Sequence, residues 1–194
     1  LRGLEERGGH PALDLLARAA TEADPDRLEA APTLFRATRQ GWVDDPTLLG
    51  ETLLAELFGP VSTFAPCESG DDFLTIAERL EGSLSATIHG TEDDLREHAE
   101  LVSVLRKRTG RLIFNGYPVG LEICHSIHHG GPYPATTHSR FTSVGTRAIE
   151  RFVRPVCYQD WPDALLPAEL RNANPLDIVR LLDVGWSAEP PYYV

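Results

Sequence analysis

A chain of 194 residues, 42% of them hydrophobic, is long enough for one sizeable core and a small appendage. Its 29 acidic against 18 basic side chains leave a formal net charge of −11, which argues against the basic face that nucleic acid or an anionic membrane surface demands. No stretch approaches the roughly 18 consecutive apolar residues of a membrane span, and the N-terminus LRGLEERGGH lacks the apolar core of a signal peptide, so a soluble, cytoplasmic protein with small-molecule or protein partners is expected.

In chain order, Pro11 to Ala23 carries Leu13, Leu15, Leu16 and Ala20 at mostly helical spacing, with Pro11 acceptable in a first turn. A helix is predicted there. Thr21 to Ala31 is polar, contains Asp24-Pro25 and reads as a connection to a short strand in the apolar run Pro32 to Phe35. Asp45-Pro46 supplies an N-cap and a first helical residue, and Leu48, Leu49, Leu53 and Leu57 form a stripe that ends at Gly59-Pro60. This helix would deliver Glu56 and Phe58 to its C-terminal end.

Two strand–helix repeats follow. Val61 to Ala65 is a strand; Ser69 caps a helix with Asp72 at its third position, and Gly82 closes it after Phe73, Ile76, Ala77 and Leu80. Ser83 to His89 is the second strand, Thr91 and Asp94 start a second helix on the stripe Leu95, Ala99, Val102 and Leu105, and Lys107, Arg108 and Gly110 end it in keeping with the helix dipole. Arg111 to Asn115 is the third strand. Strands alternating with helices imply right-handed crossovers and a parallel sheet covered on both faces, a three-layer αβα sandwich.

A long glycine- and histidine-rich loop comes next, and a loop of that length inside a domain is usually functional. It reads as one wall of a substrate site. Val144 to Arg151 is predicted as a short helix and Phe152 to Gln159 as a strand, which Pro155 confines to an edge or a bulge and which invites pairing with another chain. Asn174-Pro175 with Asp177 starts a last helix through Leu182, and Trp186 to Val194 reads as a surface tail.

Cys67, Cys124 and Cys157 are too few and too oddly numbered for a disulfide framework and read as free thiols. Cys124, His125, His128, His129 and His138 offer zinc's preferred ligand types, but their spacing matches no closed zinc motif. Loop histidines bonded to backbone are the simpler reading. Cys124 beside His125 and Glu122 has the makings of a thiol nucleophile and base, yet such pairs meet in space rather than along the chain, and an inert thiol is favoured. Gly116, Gly120 and Gly130-Gly131-Pro132 form no dinucleotide fingerprint. Glu56, ahead of Phe58-Gly59-Pro60, is a carboxylate beside an aromatic ring at the mouth of a strand, where ribose hydroxyls can be held; taken alone, a solvated helix-end acid is the plainer reading.

Glu56-Leu57-Phe58-Gly59-Pro60-Val61 resembles the E-x-F-G-P-V signature of the aldehyde dehydrogenase superfamily, and it is followed, as there, by a strand, two helices and a strand ending in Asn115. The stretch from Phe114 to Pro167 is similar to the C-terminal region of α-ketoglutaric semialdehyde (2,5-dioxovalerate) dehydrogenases and related NADP-dependent fatty aldehyde dehydrogenases. The resemblance implies that Glu56 holds the nicotinamide-side ribose of NAD or NADP and that Phe58 positions the nicotinamide. It implies that Pro118, Val119 and Gly120 lie in the substrate-anchoring loop and that His129 stands where others carry an aromatic pocket residue. It also implies that the Phe152 to Tyr158 strand pairs across a subunit interface in a homo-oligomer.

The family's nucleophilic cysteine, general-base glutamate, oxyanion-hole asparagine and nucleotide-binding domain have no match in this segment, so no catalytic residue is assigned. The chemistry implied for a complete enzyme is thiolate attack on an aldehyde, hydride transfer to NAD(P)⁺ and thioester hydrolysis. Together with the absence of methionine, position 1 included, this leads to the expectation of a C-terminal fragment: residues 1–151 a partial catalytic domain, 152–194 an oligomerisation strand and tail, inactive alone and exposing apolar surface. A free-standing binding or assembly module on the same scaffold is the alternative, and a hydrolase or metalloenzyme built on Cys124 and its histidines a third reading.

Overall fold

The computed structural model describes residues 2–20, 24–27, 29–44, 50, 53–182 and 185–189. The chain divides after Phe152 into two units, Leu1–Phe152 and Val153–Val194. Among the described residues no helix is long and apolar enough to cross a membrane.

In the first unit a short helix α1 (Arg2–Gly8) leads into strand β1 (Leu13–Arg18), which runs antiparallel to β2 (Thr33–Ala37). β2 in turn pairs in parallel with β3 (Val61–Phe64), giving the order β1-β2-β3. Within the span Pro11 to Ala23, where a helix is expected, Leu13–Arg18 is therefore a strand, and residues 21–23 lie outside the described residues. Six residues, LDLLAR, are too few for spacing to separate the two periods, and pairing with β2 decided the outcome. The ladder shifts register between Leu15 and Ala17, so Leu16 is an extra residue in the strand.

On β2, Thr33, Phe35 and Ala37 are buried while Arg36 is exposed, the alternation of a sheet with one covered face. The strand expected at Pro32 to Phe35 is present, shifted toward its C-terminus. Thr38 follows; its Oγ1 accepts the Gly41 N–H at 3.2 Å and starts α2 (Arg39–Asp44), which lacks an apolar repeat and was not legible in the sequence. α2 places Trp42 in the core with Leu13 and Ala37, and Leu53, Leu54, Ala65, Cys67 and Ile76 pack around them.

Of the helix expected from Asp45 to Phe58, Asp45, Pro46, Leu48 and Leu49 lie outside the described residues. Residues 54–60 are irregular, so Glu56 and Phe58 stand on a bent segment entering β3 and not on a helix end.

The strand–helix repeats form as the cap residues direct. α3 (Gly70–Arg79) begins where Ser69, in extended backbone, accepts the Asp72 N–H at 3.4 Å, and it ends before Gly82, at Arg79. α4 (Glu92–Glu97) opens on a complete capping box: Thr91 Oγ1 accepts the Asp94 N–H at 3.1 Å and the Asp94 carboxylate accepts the Thr91 N–H at 2.7 Å. The single helix expected from Thr91 to Gly110 is broken at His98 (φ −103°, ψ 37°), after which α5 (Ala99–Arg108) continues. At the break the His98 ring lies against Gly70, where an added Cβ would meet it at 2.8 Å.

β4 (Ala86–Ile88) and β5 (Leu112–Phe114) pair in parallel, and Ser83 and Thr109 add a lone parallel bridge ahead of them. The expected single parallel sheet is thus divided. β3 and β4 have four and three residues, and among the described residues each ladders with one neighbour, β2 and β5 respectively. Alternation of strands and helices sets direction, but so few rungs do not bring separate pairs into one sheet.

In the second unit residues 153–159 are exposed and have no regular structure, so the strand expected over Phe152 to Gln159 is absent; Phe152 itself ends a 3-10 helix, Thr146–Phe152. Pro155 removes a ladder donor there, and a strand of that kind forms only against a partner. The last helix expected through Leu182 is replaced by a turn and a hairpin of β6 (Arg180–Leu182) with β7 (Gly185–Ser187). Asn174 causes this: it sits at φ 48°, and its side chain accepts the Ile178 N–H at 3.2 Å while donating to Ile178 O and Ala188 O. Trp186 lies in β7 rather than in a tail, and residues 190–194 lie outside the described set.

Candidate functional site

The irregular segment before β3 and the turn before β4 share a cleft of about 710 Å³. Leu54, Glu56 and Phe58 line it together with Glu81 to Ser85, Pro134 and Ala135. Phe58 is 93% exposed, a large aromatic face with nothing covering it.

The Pro134-Ala135 part of the lining is held by main chain packed directly on main chain. A Cβ on Gly110 would lie 1.8 Å from Gly130 O, and one on Gly82 would lie 2.1 Å from Pro132 O, so glycine is required at both positions for this close approach. Thr136 Oγ1 donates to Gly131 O at 2.7 Å and Ala135 N to Pro132 O at 2.9 Å, which fixes the turn that carries Pro134 and Ala135. The glycine-rich loop is a built wall.

His129 is clamped by its backbone: its N–H donates to Thr142 Oγ1 at 2.9 Å, and its carbonyl accepts from both the N–H and the hydroxyl of Ser143. It is half-buried and does not line the cleft. Pro118, Val119 and Gly120 also lie away from the cleft, beyond β5, where Arg111 donates to Pro118 O at 3.1 Å. Their segment leaves β5 through Asn115, which turns the chain at φ 51° and exchanges hydrogen bonds of 2.9 and 2.8 Å with the Gly90 backbone. Of the six residues singled out in the sequence, the structure brings Glu56 and Phe58 together.

The histidines spread over a different surface. His125 Nδ1 is 2.9 Å from Thr146 Oγ1, Cys124 Sγ is 3.3 Å from Ser126 Oγ, and the His138 ring packs on Phe141. His125, His128, Arg140, Arg147 and Glu150 share a pocket of about 120 Å³. There Arg147 forks onto Glu150 at 3.0 and 3.1 Å, which holds the Glu150 carboxyl below its ordinary range and raises Arg147. Among the described residues no group of three or more His, Cys, Asp or Glu is placed to hold a metal ion.

Sequence reasoning missed two parts of the site. Gly82 to Ser85 read as a helix stop and a strand, and only the fold brings them into the cleft lining. Arg7, in a helix with no apolar stripe, is buried and donates to Ala55 O, next to Glu56. It lies 48 residues away along the chain, so no local signal announces it. Chemically the cleft offers carboxylates and hydroxyls beside an aromatic face and two aliphatic side chains, Leu54 and Leu84. That set suits a ligand with hydroxyl donors and a flat ring. No cysteine, histidine or lysine is among its described lining residues.

No protein-family model matches the chain. It is 44% identical over 164 residues to alpha-ketoglutaric semialdehyde dehydrogenase 2 of Azospirillum brasilense, a match that covers 84% of this chain and 30% of that protein. It is 45% identical over 157 residues to alpha-ketoglutaric semialdehyde dehydrogenase of Acinetobacter baylyi, covering 80% of this chain and 29% of that one. The chain thus spans about 30% of the length of these curated relatives. Among solved structures it is similar to a salicylaldehyde dehydrogenase from Pseudomonas putida complexed with salicylaldehyde, with a TM-score of 0.53 at 16% identity over 83% of this chain and 30% of that chain. A double mutant of betaine aldehyde dehydrogenase from Staphylococcus aureus in complex with NAD⁺ gives 0.51 at 15% identity over 77% of this chain and 27% of that chain. At such identities the likeness is one of fold, and the fold is α/β. The 44–45% identity over some four-fifths of this chain makes it similar to a part of these aldehyde dehydrogenases, and a C-terminal portion fits.

Proposed function

We propose that this chain is the C-terminal part of an NAD(P)-dependent aldehyde dehydrogenase whose substrate is an aldehyde of the α-ketoglutaric semialdehyde kind, and that the Glu56–Phe58 cleft takes the nicotinamide half of the cofactor. The observation that carries the reading is the pairing of an exposed carboxylate and an exposed aromatic face in one cleft of about 710 Å³, on the segment that enters β3. Glu56 accepts hydrogen bonds from ribose hydroxyls, and Phe58 lays its ring against a planar heterocycle. Leu84 and Pro134 exclude water from the apolar side. When bound, the cofactor supplies a hydride acceptor.

With no cysteine among the described cleft residues, the chain alone is expected to be catalytically silent: it supplies walls, and nucleophile and base belong to the remaining length of such an enzyme. The exposed apolar surface supports this part of the reading. Buried apolar side chains among the described residues are limited to Leu13, Ala31, Phe35, Ala37, Trp42, Ala77 and Leu105, whereas Phe64, Phe73, Leu112 and Phe114 are all substantially exposed on the strand–helix layer. Such faces ask for further strands and helices, and in the complete protein we assign residues 1–151 to a three-layer catalytic domain. Residues 152–194 are then its oligomerisation strand and tail, with Phe152 to Tyr158 pairing against a second subunit; their exposure and lack of a ladder support that role.

The test is saturation-transfer NMR on the chain with NAD⁺, NADP⁺ and nicotinamide mononucleotide, beside an assay for oxidation of α-ketoglutaric semialdehyde. Expected are no turnover and weak binding, with Kd of about 1 mM, since the cleft is only part of an enclosure. Signal should come from the nicotinamide and its ribose and disappear in Glu56→Gln. A signal equal in wild type and Glu56→Gln, or none in wild type, sinks the cofactor reading and leaves the binding or assembly module in its place.

A further inference from the structure

Arg7 lies in the last turn of α1, yet it is only 8% exposed. A guanidinium loses much of its hydration on such burial, and that loss lowers its pKa from the ordinary value. A helix-surface arginine ordinarily keeps its head in water. This one turns inward and spends its donors on two acceptors: Nη2 on Ala55 O at 2.6 Å, and Nη1 on Thr63 Oγ1 at 3.3 Å.

The two acceptors bracket the piece of chain that matters. Ala55 immediately precedes Glu56, Thr63 lies within β3, and Phe58-Gly59-Pro60 falls between them. The segment 54–60 has no ladder or helix to define its path. Downstream it is tied by Thr33 N donating to Pro60 O at 2.9 Å and by a tight turn, Val61 N to Gly59 O at 2.8 Å. Upstream Leu53 and Leu54 pack on the Trp42 core, and among the described residues the guanidinium on Ala55 O is the hydrogen bond that follows them. A planar fork with fixed N–H directions relates its two acceptors in distance and angle, which an ammonium on a flexible stem does not.

We propose that Arg7 is a positioning residue for the cleft: by holding the Ala55 carbonyl against Thr63 of β3, it sets where the Glu56 carboxylate and the Phe58 ring project. The functional half of this inference rests on the cofactor reading given above, while the positioning half stands on the geometry alone. A lysine keeps the charge but gives up one of the two directed bonds. A methionine keeps the apolar stem and gives up both.

Backbone ¹⁵N relaxation and saturation transfer from nicotinamide mononucleotide, measured on the same samples, test it. In wild type Ala55 to Phe58 should show order parameters near about 0.85, and in Arg7→Met these should fall below about 0.6 while α3 and α5 keep theirs. Nicotinamide signal in Arg7→Met should drop about tenfold, with Arg7→Lys between it and wild type. Unchanged order parameters at 55–58 in Arg7→Met overturn the positioning role, and so does a fall that extends equally to α3 and α5, which marks a general stability residue. Should Arg7→Met fail to fold, Thr63→Val removes the second anchor with Arg7 in place; a partial loosening of 55–58 is then expected, and none overturns the proposal. A mononucleotide signal absent in wild type or unaltered in Glu56→Gln removes the cofactor reading, and the order parameters then judge the positioning by themselves.

Discussion

Arg39 grips Asp72 with both prongs of its guanidinium, Nε on Oδ2 and Nη2 on Oδ1, each at 2.9 Å. The same carboxylate accepts the Glu68 N–H at 2.8 Å, so one acid at the start of α3 ties down α2 and the chain entering α3. The Arg39 guanidinium first, and then the Glu68 N–H, pull the Asp72 carboxyl down to about 2. A folded-state value below the unfolded one means that the ionised form favours folding. The contribution is complete above the unfolded value near 3.8 and is lost as pH falls through about 2. Urea denaturation between pH 5 and pH 2 should show wild type losing stability steeply and Asp72→Asn, weaker at pH 5, with a flatter profile. Parallel profiles would mean that the pair contributes nothing.

Gly110→Ala puts a methyl group where Gly130 O already sits, and neither main chain has a flexible end to withdraw. A loss of about 1–3 kcal/mol is expected from overpacking. Amide shifts should change at 130–135 as the loop lifts, which two-dimensional NMR reads directly. Gly8→Ala is the control, since a Cβ there meets nothing within 4 Å.

Phe58→Ala separates binding from folding. At 93% exposure the ring contributes little to stability, and the change should stay within about 0.5 kcal/mol. Nicotinamide signal in the saturation-transfer experiment should nevertheless fall to background. A large loss of stability instead would give Phe58 a packing role.

Thiol labelling followed by mass spectrometry should rank the cysteines. Cys157 is exposed and should react fastest; Cys67 is half-buried, and burial followed by the Asp72 charge raises its thiol pKa against the opposing pull of Arg39. Cys67 should therefore label slowest. If residues 152–158 pair between subunits as proposed, Cys157 labelling slows with rising protein concentration.

Thr91→Ala removes one half of the capping box that starts α4 and should cost about 0.5–2 kcal/mol. Calorimetry on the variant checks this, with Thr91→Ser expected to retain most of the stability.

Local chemistry was legible wherever a few adjacent residues decide the outcome. Ser69 with Asp72 and Thr91 with Asp94 each bond within four residues, and both helix starts follow from them. β3, β4 and β5 followed too, because apolar runs bounded by turns leave few choices. Leu13 to Arg18 did not, because a short apolar run becomes strand or helix according to its neighbour, and β2 lies more than a dozen residues on. Asn174 misled for a related reason: the side chain that would cap a helix serves equally well to close a turn, and here it bonds Ala188 O as well. At the candidate site, Glu56 and Phe58 came from resemblance to a family signature. The bent path that exposes them depends on Arg7 and Thr63, and side-chain forks between distant segments leave no periodic trace.

The glycine contacts of the cleft wall also bear on how such a pocket can be altered. A clash between side chains is relieved by trimming one of them, whereas Gly82 against Pro132 O and Gly110 against Gly130 O leave nothing to trim. Residues 82–83, 109–110 and 130–133 therefore keep a fixed relation in length, and insertions among them should abolish the wall. The exposed stretch 117–120, past Asn115, carries no such packing constraint: Val119 is 80% exposed, and Gly120 is held by its φ of 74° and not by a neighbour, since a Cβ there would meet nothing within 4 Å. Loop-length variation introduced there should therefore be tolerated, with the glycine wall left intact.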